Sequence, residues 1–180
     1  MKMSKSGKKW CKVVGNGKIF HMFAWEKLPK LTGMTFFNSE YECKLDAKGR
    51  LVLPSRIKSA LPETGGNELV IRRGFDQCLI LYPMVEFNKL FSKIAGLSEF
   101  NEENRKLQRN FFRGSSTVEL DGNGRFLIPK NMQEYAKLER EAIVIGMGNR
   151  IEIWEPKLYE NQLIEDPGEF SDLAKKYLDG

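Results

Sequence analysis

From residue 40 the chain alternates. Tyr41, Cys43 and Leu45 are interleaved with Glu40, Glu42 and Lys44, which is the period of a strand with one buried face. Val118 and Leu120 flank Glu119 in the same way. A turn follows each run, then a short apolar stretch that reads as a returning strand: Leu51-Val52-Leu53-Pro54 and Phe126-Leu127-Ile128-Pro129. Pro54 and Pro129 cannot continue a central strand but suit the first turn of a helix. Short helices are therefore expected over residues 55–61 and 130–138. Next come the β-rich runs 68–71 and 141–145, Gly-bearing turns at 72–77 and 146–150, and the runs 78–83 and 151–156. Each half reads as strand, strand, helix, strand, strand, helix.

Between the halves, Val85, Leu90, Phe91, Ile94 and Leu97 have helical spacing, and residues 101–112 form a second, more charged helical stretch. Residues 157–164 read as a helix. Asp166-Pro167-Gly168 reads as a breaker, and 169–178 as a short helix or a disordered tail. The expected fold class is mostly β with short helices. The expected organisation is an N-terminal extension over 1–33, a first repeat over 34–84, a helical connector over 85–114, a second repeat over 115–158 and a helical tail over 159–180.

The repeats share one pattern. Leu45-Asp46-Ala47-Lys48-Gly49-Arg50 and Leu120-Asp121-Gly122-Asn123-Gly124-Arg125 are offset by 75 residues without a gap, as are the apolar runs and prolines behind them. Two such copies in register indicate an internal duplication. Gly49 and Gly124 supply the positive φ that a tight turn demands. Asp46 and Asp121 can accept hydrogen bonds from the turn amides ahead of them, so they are read as turn organisers. Arg50 and Arg125 leave the turn as the first residues of the returning strands.

This duplicated D-x-x-x-R pattern, with its apolar run ending in Pro and the hairpin behind it, resembles the MraZ family of bacterial transcriptional regulators, built from two SpoVT-AbrB domains. The resemblance covers about residues 34 to 165. It implies two ββαββ repeats that swap hairpins and intertwine into one compact unit, with chains assembling into a ring of eight or more. It also implies binding of double-stranded DNA at short direct repeats upstream of the protein's own division and cell-wall operon.

Charge adds a qualification. The net +5 of the 180 residues comes from residues 1–33, where eight lysines face the single acid Glu26 and contribute +7; the rest of the chain is net −2. Any nucleic-acid surface must therefore rest on local placement. Around Arg50 stand Lys44, Lys48, Arg56 and Lys58, and with Arg125 these are the candidate DNA-binding residues. Arg can donate to phosphates and guanine edges, or it can pair with its own turn Asp and brace the hairpin. The first reading is preferred for Arg50 because of its basic neighbours. The second turn has Gly122 and Asn123 in place of Ala47 and Lys48, so the first repeat is expected to carry most of the DNA contact. Arg72 and Arg73 read as solvated hairpin charges.

Residues 1–33 show no sustained strand or helix period and no export signal. They are read either as a basic arm that adds electrostatic affinity or as an artefact of start assignment ahead of Met34. Three cysteines without paired spacing, Cys11, Cys43 and Cys78, fit a reducing compartment, and Cys43 and Cys78 read as small buried hydrophobes. No apolar run is long enough to span a membrane. His21 is the only histidine, which leaves little basis for a histidine metal or catalytic site. No cofactor, no metal, no small-molecule substrate and no enzymatic activity are expected, and the expected location is the cytoplasm, on the nucleoid. Two other classes compete: an antitoxin-like or scaffold protein of the same fold, and a hydrolase with Asp46 and Asp121 as an aspartic-protease-like dyad. The dyad is disfavoured because Lys48, Arg50 and Arg125 would hold those carboxylates ionised.

Overall fold

A computed structural model describes residues 10–15, 18–23, 36–62 and 67–178. They fall into two units, residues 1–34 and 35–180. In the first unit, β1 (Trp10–Gly15) and β2 (Lys18–Phe23) form an antiparallel hairpin running from Trp10↔Phe23 to Gly15↔Lys18. That stretch had shown no strand period in sequence. The other residues of the N-terminal extension lie outside the described ones.

The second unit holds both repeats. The first contributes β3 (Glu40–Lys44), β4 (Arg50–Val52), α1 (Ser55–Ser59), β5 (Glu68–Arg73) and β6 (Leu79–Pro83). The connector forms α2 (Met84–Ala95) and α3 (Glu102–Phe112). The second repeat contributes β7 (Ser116–Glu119), β8 (Arg125–Leu127), α4 (Lys130–Tyr135), β9 (Glu141–Gly146) and β10 (Ile151–Trp154), and the tail contributes α5 (Pro156–Glu160) and α6 (Pro167–Leu178).

The repeats exchange strands. One antiparallel sheet of six runs in the order β3-β9-β10-β6-β5-β7, and β4 pairs with β8 in a separate two-stranded ribbon. β3 of the first repeat thus lies on the β9–β10 hairpin of the second, and β7 of the second lies on the β5–β6 hairpin of the first. The register reveals a pseudo-twofold axis. Leu51 pairs with Phe126, its counterpart in the other repeat, and Ile80 pairs with Glu152, again its counterpart.

The sheet is buried on both faces, which accounts for the near-continuous apolar runs of β5, β6, β9 and β10. On one face Leu69, Ile71, Leu79, Leu81, Val144, Ile151 and Ile153 pack with Leu51 and Phe126 of the ribbon, Ile57 of α1 and Met132 of α4. On the other, Cys78, Ile80, Tyr82, Ile143 and Trp154 pack with Phe87 and Leu90 of α2 and Leu158 and Tyr159 of α5. Cys78 is buried and Cys43 is half-buried in β3.

Three local expectations need correction. α1 and α4 are shorter than the sequence indicated; after α4 the chain turns at Lys137, φ +52°, where the Leu138 amide donates to the Gln133 carbonyl at 2.9 Å. Asp166-Pro167-Gly168 starts a helix instead of breaking one. The Asp166 carboxylate accepts from the Gly168 and Glu169 amides at 3.1 and 3.2 Å, with Pro in the first turn and Glu169 behind it, which is a helix-start pattern. Arg72 is not solvated, and Arg73 is half-buried. Arg72 is 3% exposed, with its guanidinium 4.8 Å from the Phe111 ring and 5.1 Å from that of Phe75. Arg73 lies 4.8 Å from the Tyr135 ring and reaches the Asn131 carbonyl at 3.4 Å. Both lie on β5, which the connector covers on one side and α4, brought by the swap, on the other.

Candidate nucleic-acid interface

Each D-x-x-x-R turn is closed by its own aspartate. Asp46 Oδ1 accepts from the amides of Lys48 (2.9 Å) and Arg50 (3.0 Å), while Oδ2 accepts from Arg50 Nε at 2.7 Å and forms an ion pair with Nη2, also at 2.7 Å. Asp121 repeats this with the amides of Asn123 and Arg125, both at 2.9 Å, and with Arg125 Nε at 2.8 Å. Gly49 and Gly124 turn at φ +77° and +73°, the left-handed region where a side chain is strained. Each turn glycine also accepts from the opposite strand: the Leu53 amide donates to Gly124 at 2.9 Å, and the Ile128 amide to Gly49 at 3.1 Å. The two turns therefore clasp one another.

Electrostatics follows from these bonds. The Arg50 amide, then the Arg50 guanidinium, pull the Asp46 carboxyl down to about 2, and the Arg125 amide leads in lowering that of Asp121. Both stay ionised at neutral pH. Each is committed to its own arginine, so the shared proton that an aspartic-protease dyad requires is absent from this arrangement. The Asp46–Arg50 contact uses the Nε side of the guanidinium and leaves Nη1 without a partner among the described residues. The pairing fixes the guanidinium in place with a free edge.

The ribbon register decides which side chains share a face. Arg50 lies opposite Leu127 and Val52 opposite Arg125, with Leu51 and Phe126 between them. Strand alternation sends these last two to the core, where they are 0% and 1% exposed, and the other four to the outer face. Both motif arginines thus stand on one face of one two-stranded ribbon, although 75 residues separate them.

The remaining candidates divide. Lys48 is exposed at the first turn. Lys44, on edge strand β3, is drawn to Glu141 at 3.9 Å. Arg56 is exposed on α1 and lines a recess with Phe36, Phe37 and Asn38. Lys58 crosses to the other repeat. A Cβ placed on Gly124 would meet Lys58 Cδ and Nζ at 3.2 Å. The equivalent residue of α4, Gln133, covers Gly49 and donates to the Ile128 carbonyl at 2.6 Å. The premise that the second turn lacks basic neighbours therefore fails: the swap supplies it with a lysine from the first repeat. Sequence reasoning missed Lys58 at the second turn, and it missed Val52 and Leu127 on the outer face. The alternation of the ribbon strands could have revealed the latter two.

Among the described residues no helix is long and apolar enough to cross a membrane, and no group of three or more His, Cys, Asp or Glu gathers as a metal site.

Comparison with known proteins agrees with the duplication. The family model described as "MraZ protein, putative antitoxin-like" matches residues 36–110 and again 111–179. A relative from Cytophaga hutchinsonii, named transcriptional regulator MraZ, is 57% identical over 145 residues, covering 81% of this chain and 96% of its own length. Relatives of the same name from Christiangramia forsetii and Halothermothrix orenii are 42% and 38% identical, each over 77% of this chain and over 90% and 94% of their own lengths. All three are named as regulators, not as enzymes. With a duplicated family match spanning both halves of a swapped, duplicated fold, this chain belongs to the MraZ family.

Proposed function

We propose that this protein is a sequence-specific DNA-binding transcriptional regulator without enzymatic activity, and that the outer face of the β4–β8 ribbon meets the DNA. The observation that carries this reading is the register that aligns Arg50 and Arg125 on one exposed face. The cations of Lys48 and Lys58 beside the two turns support it. A two-stranded ribbon fits the major groove, and arginines there read guanine edges. The lysines would contact phosphates and make binding salt-dependent.

The finer parts of the proposal come from the family resemblance. The chains assemble into a ring of eight or more, and several ribbons engage short direct repeats upstream of the protein's own division and cell-wall operon, on the nucleoid. Apolar side chains exposed on α2, α3 and α6, among them Phe91, Leu107, Phe170 and Tyr177, are surface that assembly would cover. One ribbon alone gives weak binding; linked ribbons on repeated sites raise avidity by about 10²–10⁴.

The test is titration of the DNA upstream of the gene with wild type, Arg50→Ala and Arg125→Ala at fixed salt, with assembly size read by light scattering. Each substitution should cost about 1–3 kcal/mol per ribbon, and the two should be comparable because both arginines share the face. Neither removes core volume, so assembly should be unchanged. Full affinity in both variants would move the DNA surface elsewhere, and a monomer at micromolar concentration would refute the ring.

A further inference from the structure

The outer face of the ribbon holds two side chains that phosphate binding does not use. Val52 is 51% exposed and Leu127 54%. Isolated exposed aliphatics need no explanation, but these two are not scattered. In the register they occupy one diagonal of a square whose other diagonal is Arg50 and Arg125. The pseudo-twofold axis exchanges Val52 with Leu127 as it exchanges the two arginines. Both are branched aliphatics at the centre of a surface flanked by Lys48 and Lys58.

The chemistry of the surroundings selects the occupant. A second copy of this chain meeting the face across a twofold would set lysine and arginine against lysine and arginine. A polyanion with apolar groups between its charges fits instead, and the DNA major groove offers that surface. Its floor carries guanine O6 and N7 acceptors, which suit arginine, and thymine C5-methyl groups, which suit aliphatic side chains. Side chains two apart on one strand are about 6.6–6.8 Å apart, about two base-pair steps. An arginine and the aliphatic two residues along its strand can therefore address positions about two base pairs apart.

Resting on the DNA-binding reading above, we propose that Val52 and Leu127 determine sequence specificity by packing on thymine methyl groups, each beside a guanine-reading arginine. One chain's ribbon then reads an element containing both G and T, with an approximate twofold relation between its halves. The unequal size of Val52 and Leu127 makes that relation imperfect, because the shorter side chain must approach its base pair more closely.

The probe is the DNA fragment upstream of the gene, amplified with either dTTP or dUTP, so that the second version lacks the thymine methyls. Each is titrated at fixed salt with wild type and with the double variant Val52→Ala/Leu127→Ala. Both positions are exposed, and an unchanged thermal melt would confirm that the variant is folded. Wild type should bind the uracil fragment at least about four-fold more weakly, the factor expected for one lost methyl contact. The double variant should bind the two fragments nearly equally. Equal binding of both fragments by wild type would overturn the proposal while leaving DNA binding intact. So would a double variant that keeps the full uracil penalty, since the methyl effect would then arise elsewhere. Failure of wild type to bind either fragment at low salt would overturn both this proposal and the reading it rests on.

Discussion

Asp46 and Asp121 do the local work of the repeats. Each gives one oxygen to turn amides and the other to an arginine, so it sets both backbone and guanidinium. The turn-amide half of this division was readable from sequence, because an Asp ahead of a Gly-bearing turn has few other local uses; the pairing with Arg50 was the less favoured of two readings. The competing roles of Arg50 turn out to be compatible: the guanidinium braces the turn through its Nε side and keeps an edge for another partner. A pH prediction follows. The folded-state pKa of Asp46, about 2, lies below its ordinary 3.8, so folding favours the ionised form. That contribution is fully present above about pH 4 and is lost as pH falls through about 2. Asp46→Asn removes the charge at every pH. The gap in melting temperature between wild type and this variant should therefore be constant near neutrality and narrow from pH 4 to pH 2. A gap independent of pH over that range would show that the carboxylate charge does not matter to the turn.

At the scale of elements, the strands and short helices of the two repeats were legible because their signals are local: period-2 alternation, a glycine at positive φ, a proline closing each apolar run. The partner of each strand was not written in the periodicity, and only the family resemblance carried the exchange that the sheet order displays. Pairing within a repeat and pairing between repeats call for the same alternating pattern, so periodicity cannot tell them apart. That is why Lys58 read as a neighbour of Arg50 but covers Gly124; Arg72, read as a solvated charge, was hidden for a different reason, the packing of the connector's Phe111 over its own hairpin. The ribbon is the clearest product of the exchange, since β4 and β8 form a sheet with each other alone, and the only further pairing of β4 among the described residues is the single Leu45↔Leu51 bridge. Three paired residues cannot hold such a ribbon by hydrogen bonds alone. Leu51 and Phe126 anchor it, both essentially fully buried. Phe126→Ala should cost about 3–5 kcal/mol in denaturant unfolding, whereas Val52→Ala on the outer face should change stability by less than about 0.5 kcal/mol. Equal losses at the two positions would contradict the assignment of inner and outer faces.

For the whole molecule, the exchange means that neither repeat closes its own core. Residues 36–114 alone leave β3 without β9 and the β5–β6 hairpin without β7. This half, expressed by itself, should form a homodimer in which each copy lends its β3 to the other, and not a folded monomer. Sedimentation can distinguish the two, and a cooperative, folded monomer would show that the exchange is not required for folding. The second half alone faces an additional obstacle on the axis. Ile80 stands opposite Glu152, and Glu152 is held by Arg150 Nε at 3.0 Å and Trp154 Nε1 at 3.1 Å. A self-paired first half would set isoleucine against isoleucine. A self-paired second half would set glutamate against glutamate, a like-charge pair directly across a ladder, which is destabilising. Tandem fusion of the two copies removes that symmetry constraint. Once the halves are covalently linked and always meet each other, a residue on the axis is no longer confronted by its own duplicate. The sequence is then free to carry Glu152 opposite Ile80, a residue that a protein built from two identical second halves would have to set against itself.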